Sequence, residues 1–182
     1  MTGLRNGGTE RRGFLALLGG VVLSALAGTA GCSELRPNED HLRVRTDVEP
    51  LHERFPALGE LSDPHWLGYD VDEAGRRQTL PGPDARIRLV GLARMAPGAV
   101  AAVLGAATAG ERFEPVDPPA DLPAPLATHV PDRAGWRAST AYDLRVLAQA
   151  PSQSATGDRA DGRFLLHEED DLVWFDTVFL YT

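Results

Sequence analysis

Apolar positions along the chain repeat with a period of two in several short stretches and with a helical period in only two. From Arg86 to Met95, Ile87, Leu89, Gly91, Ala93 and Met95 alternate with Arg86, Arg88, Val90, Leu92 and Arg94, the pattern of a strand. His65 to Val71 alternates Trp66, Gly68 and Asp70 against Leu67, Tyr69 and Val71, and Leu42 to Arg45 is a shorter version. Tyr142 to Ala148 reads as another strand. Arg163–His167 and Leu172–Tyr181 read as a hairpin, with the acidic run Glu168-Glu169-Asp170-Asp171 as its turn. Leu172-Val173-Trp174-Phe175 and Val178-Phe179-Leu180 are apolar on both sides of the pleat, which predicts a central strand covered on both faces.

Helical spacing is clearest from Pro97 to Ala109, where Val100, Val103 and Leu104 recur among alanines and Gly110 offers a stop. Pro97 suits a first turn because its missing N–H has no partner there. The stretch has almost no charge, so it is expected to lie buried against a sheet. A shorter helix follows Asp47, with Pro50 in its first turn, Leu51 and Phe55 on one face, and an end at Phe55-Pro56. Leu58–Pro64, Asp72–Pro83 and Pro151–Gly162 read as loops. Residues 113–131 carry six prolines and read as an extended segment wrapping the surface. The fold class expected is α+β: a mainly antiparallel sheet of roughly five strands with one principal helix packed on it. The alternative is an all-β sandwich with an accessory helix.

The first 32 residues do not fit that domain. Arg5, Arg11 and Arg12 precede a run from Phe14 to Ala30 with no charged side chain, and small residues follow up to Cys32. A basic start, a short apolar core and a small-residue end are what a secretory signal requires. Arg11-Arg12-Gly13-Phe14-Leu15 resembles a twin-arginine export motif, and Thr29-Ala30-Gly31-Cys32 resembles a bacterial lipobox. Together they resemble the start of a twin-arginine-exported bacterial lipoprotein of the actinobacterial type. That resemblance implies export through Arg11, Arg12, Phe14 and Leu15, and a lipid on Cys32 that ties the protein to the extracytoplasmic face of the cell membrane. The division it suggests is a signal over 1–31, a lipidated cysteine and polar tether over 32–41, and one globular domain over 42–182. An uncleaved anchor is the alternative, although Gly13, Gly19, Gly20 and Gly28 weaken this stretch as a helix and a span needs roughly 20 apolar residues.

Composition narrows the function further. Of 182 residues, 43% are hydrophobic and one is cysteine, which permits a core and excludes a disulfide-stapled scaffold. Without residues 1–31, which hold three arginines and one glutamate, 15 basic and 25 acidic side chains remain, a net charge of −10. That balance argues against nucleic acid as a partner. The five histidines, His41, His52, His65, His129 and His167, are all more than ten residues apart in sequence. Neither a metal nor a cofactor is expected from them. The acids of 167–171 read as a solvated turn.

Asp176 interrupts the most apolar strand, and a buried carboxylate is rare unless paired. Pairing with Arg86 or Arg88 is the structural expectation, and a general acid or base the functional one. Trp66 and Trp136 neighbour polar or glycine-rich residues and are the candidates for an exposed ligand-lining aromatic. Trp174 is expected in the core. The function expected is a lipid-anchored, non-enzymatic binding or interaction module of the cell envelope, meeting the membrane through Cys32 and an envelope partner or small ligand through its domain. The alternative is an envelope hydrolase using Asp176 or the 167–171 acids.

Overall fold

A computed structural model describes residues 39–75, 85–107, 110–131, 134–151 and 159–181. The export motif Arg11, Arg12, Phe14 and Leu15, together with Cys32, lies outside the described residues. Among them, no helix is long and apolar enough to cross a membrane.

The chain is sheet-dominated α+β. Six strands, β1 (Leu61–Asp70), β2 (Ala85–Met95), β3 (Glu114–Pro115), β4 (Trp136–Ala138), β5 (Arg159–His167) and β6 (Leu172–Tyr181), form one sheet. Their order is β1-β2-β6-β5-β4-β3 and every pair is antiparallel. The β5–β6 hairpin forms as its pattern predicts. It turns through 168–171, with Asp171 at a φ of 50°. Its second arm lies inside the sheet, as continuous apolarity requires. Val173, Phe175 and Phe179 enter one core layer, and Leu172 and Trp174 enter the other.

Among the described residues three short α-helices stand where one principal helix was expected: α1 (Glu49–Arg54), α2 (Ala99–Gly105) and α3 (Thr140–Ala148). The first layer packs α1, α2 and α3 on one sheet face through Leu51, Phe55, Val100, Tyr142, Val146 and Leu147. Phe55 is fully buried, with its ring 5.4 Å from both Phe164 and Phe175 and 6.0 Å from Phe179. Removing a side chain so enclosed typically costs about 3–5 kcal/mol. On the opposite face the proline-rich segment lies across the sheet. It is more than a wrapping, because Leu126 is fully buried and Val130 nearly so, against Leu67, Leu92, Trp136, Leu165 and Trp174.

Five elements depart from the sequence pattern. The helix expected over Pro97–Ala109 is only Ala99–Gly105, because Gly98, at a φ of 74°, sets its start. Of its residues only Val100 is buried, so it is not enclosed. Tyr142–Ala148 is helical, with Ser139 as its N-cap. β1 begins at Leu61, and β5 begins at Arg159, where loops were expected. Leu42 belongs to a 3-10 turn, while Arg45 makes an isolated bridge to Trp66. Gly91, paired with Trp66, is a close-approach glycine, since a Cβ there would run into the His65 carbonyl and Trp66.

Candidate functional site

Strand β4 stops after three residues because Ser139 turns the chain into α3. Ser139 keeps an extended backbone, and its hydroxyl accepts the Tyr142 amide at 3.5 Å. Tyr142, Val146 and Leu147 then face the core, while Leu144 and Arg145 face out. Because β4 pairs only with Leu165–His167, the edge of β5 from Arg159 to Phe164 has no strand beside it among the described residues.

Two aspartates occupy that edge. Asp143 Oδ1 accepts the Phe164 amide at 2.8 Å, and Asp161 Oδ1 accepts the Gly162 amide at 2.8 Å. Asp143 is 9% exposed. Burial pushes its carboxyl up to about 6, against the opposing pull of the Phe164 amide and Arg163.

Beside this edge a cleft of about 770 Å³ opens between residues 110–121 and the first turn of α3. The 110–121 segment contributes Arg112, Glu114, Asp117 and Asp121, and β5 contributes Arg163. Ala138 and Leu165 supply apolar surface, and Ser139 and Asp143 lie along the same cleft. Its size falls in the range of small-ligand sites, and it holds a carboxyl poised near 6. The sequence signals α3 but not the cleft: Ser139 is a helix start, and Tyr142 and Val146 lie four residues apart.

Asp176 lies elsewhere. Arg88 donates to it through Nε at 2.9 Å to Oδ1 and through Nη2 at 2.8 Å to Oδ2, and donates to the Tyr69 hydroxyl at 3.1 Å. The hydrogen bond with Asp176 raises the Arg88 guanidinium further above its ordinary value. Arg86 pairs instead with Asp72. Of the two arginines expected to meet Asp176, Arg88 does so, and the fork leaves the carboxylate a structural partner.

The acidic turn does not act as one cluster. His167 is buried, with Nε2 3.2 Å from the Ala134 carbonyl; its Nδ1 lies 3.1 Å from Asp170 Oδ2 without hydrogen-bond geometry. Asp171 caps α2, accepting the Gly98 amide at 2.9 Å and the Val100 amide at 3.4 Å. Glu168 and Glu169 are exposed.

Trp66 and Trp136 are corrected from exposed candidates to core residues, at 2% and 0% exposed. Trp66 faces the helical layer, where its indole donates to the Asp47 carbonyl at 2.9 Å. Trp136 faces the opposite layer beneath the proline-rich segment. Trp174 is in the core, as expected.

The fold joins two histidines that are distant in sequence. His65 and His129 stack with ring centroids 3.9 Å apart, beside a cleft of about 300 Å³ that Asp63, Arg94 and Asp170 also line. Near-parallel rings direct their in-plane lone pairs side by side and not toward one point. Among the described residues, no three His, Cys, Asp or Glu side chains are placed to hold a metal ion.

The chain matches no protein-family model, no curated protein and no solved structure.

Proposed function

We propose that this chain is a lipid-anchored protein of the cell envelope whose globular part is a non-enzymatic binding module, with the cleft beside Asp143 as its binding site. The address rests on the sequence: Arg11-Arg12 with Phe14-Leu15, an apolar segment, and small residues before the single Cys32. The binding role rests on one observation, the cleft of about 770 Å³ that gathers charged groups of both signs around an apolar floor. The acidic surface accompanies a role that does not involve nucleic acid.

A second reading, an envelope hydrolase, has one observation in its favour. Asp143, raised to about 6 within the cleft, has the properties of a general acid or base. Asp176, forked by Arg88, supports that reading less.

Intact mass and membrane fractionation of the native protein test the address, with Cys32→Ala as control. The proposal expects loss of residues 1–31, a diacylglyceryl mass on Cys32 and membrane association, with the last two absent in Cys32→Ala. Retention of residues 1–31, or indifference to Cys32→Ala, contradicts it.

A further inference from the structure

The 110–121 segment brings both signs of charge to the cleft, Arg112 beside Glu114, Asp117 and Asp121, while β5 brings Arg163. Asp117 and Asp121, from the 110–121 segment, are exposed and have no ion pair among the described residues. Glu114, from the same segment, is 3.7 Å from Arg112. The cation from β5 is Arg163. Its cross-strand neighbour on the same sheet face is Asp176, which would be its natural partner, but both Asp176 oxygens are already held by Arg88. Asp143, deeper in the cleft, has one oxygen on the Phe164 amide. Arg163 is exposed, makes no direct hydrogen bond or ion pair among the described residues and acts on Asp143 only through space, and its planar fork suits a carboxylate. Ala138 and Leu165 offer an apolar stretch within the same cleft.

We infer that the cleft takes a small zwitterion, an amino acid or short peptide, with its carboxylate on Arg163 and its ammonium group toward Asp117 and Asp121. This rests on the cleft being the binding site. A ligand with charge of only one sign would meet the acids or the arginine unfavourably, whereas a zwitterion satisfies both.

The test is a titration of the purified full-length chain, followed by backbone amide shifts, with three probes: alanyl-alanine, its N-acetylated form and its C-terminal amide. Saturable shifts at residues 139–143 and 163 are expected with alanyl-alanine. Each capped form should bind about tenfold more weakly, the loss of roughly one charge-assisted contact. Arg163→Gln should weaken alanyl-alanine and the N-acetylated form about tenfold and leave the amide form unchanged. The double variant Asp117→Asn/Asp121→Asn should weaken alanyl-alanine and the amide form and leave the N-acetylated form unchanged. Equal affinity for all three probes overturns the zwitterion while keeping the cleft as a binding site. Saturable shifts confined to another face, or none with any probe, overturn the inference outright.

Discussion

Arg88 and Asp176 join β2 to β6 through a two-pronged fork, Nε to Oδ1 at 2.9 Å and Nη2 to Oδ2 at 2.8 Å, with side chains only 27% and 18% exposed. The fork lies where the sheet face leaves its apolar cover, and it explains how an acid is tolerated in the central strand. A double-mutant cycle with Arg88→Met and Asp176→Asn, read from denaturant midpoints, should give a coupling of roughly 1–2 kcal/mol, above that of an exposed pair. A coupling near zero would mean that the fork contributes nothing to stability.

Asp143 should make stability depend on pH with a definite sign. Its folded value, about 6, lies above the ordinary 3.8, so the native state holds the proton more tightly than the unfolded chain does. Native stability is therefore unpenalised in acid and falls as pH rises from about 4 to about 6. Asp143→Asn keeps an oxygen for the Phe164 amide and removes the charge. Relative to that variant, wild type should lose on the order of 2–3 kcal/mol across this window and stay level above it. A difference that is flat with pH, or that grows in favour of wild type, refutes the assignment.

The two aspartates on the β5 edge bear on association. Asp143 and Asp161 occupy the Phe164 and Gly162 amides, donors that a free edge would offer to another chain. The double variant Asp143→Ala/Asp161→Ala should form dimers or larger species by light scattering at concentrations where wild type does not. If its mass distribution equals that of wild type, the aspartates do not guard the edge.

Tyr142 offers a test in the stabilising direction. Its ring is 1% exposed and its hydroxyl, buried, finds no hydrogen-bond partner among the described residues. Burial pushes that hydroxyl up to about 12. Tyr142→Phe should leave stability unchanged or raise it by about 1 kcal/mol, since it removes a desolvated group without losing a bond. A loss of more than about 1 kcal/mol would reveal an unseen partner.

Much of the sheet was legible in the sequence, for reasons particular residues make plain. The β5–β6 hairpin announced itself because four consecutive acids separate two apolar runs, and the two-faced apolarity of Leu172–Leu180 placed β6 in the interior. Asp176 could be paired in advance with one of two arginines because an acid in such a strand requires a partner. α3 was not legible as a helix, because Tyr142–Ala148 is short and apolar enough to fit either period; its N-cap Ser139 carried the deciding signal. Trp66 and Trp136 misled because polar neighbours along a strand alternate faces and say nothing about which face is covered. Trp136 is buried by Leu126 and Val130, residues of a segment whose prolines suggested only a surface path. The cleft was least legible. It joins Asp117 and Asp121 to Asp143 and Arg163, and only tertiary contacts bring those segments together.

The proposed function places binding at this cleft. The most direct measurement is amide-shift mapping of the purified chain against a library of small polar fragments carrying positive, negative, paired or no charge. Saturable shifts are expected to concentrate at Ser139, Asp143, Arg163 and the 114–121 segment, and Arg163→Gln should diminish those of the anionic and zwitterionic fragments. Saturable shifts centred on the His65–His129 cleft or scattered over the sheet, with residues 139–143 and 163 unmoved, would contradict it.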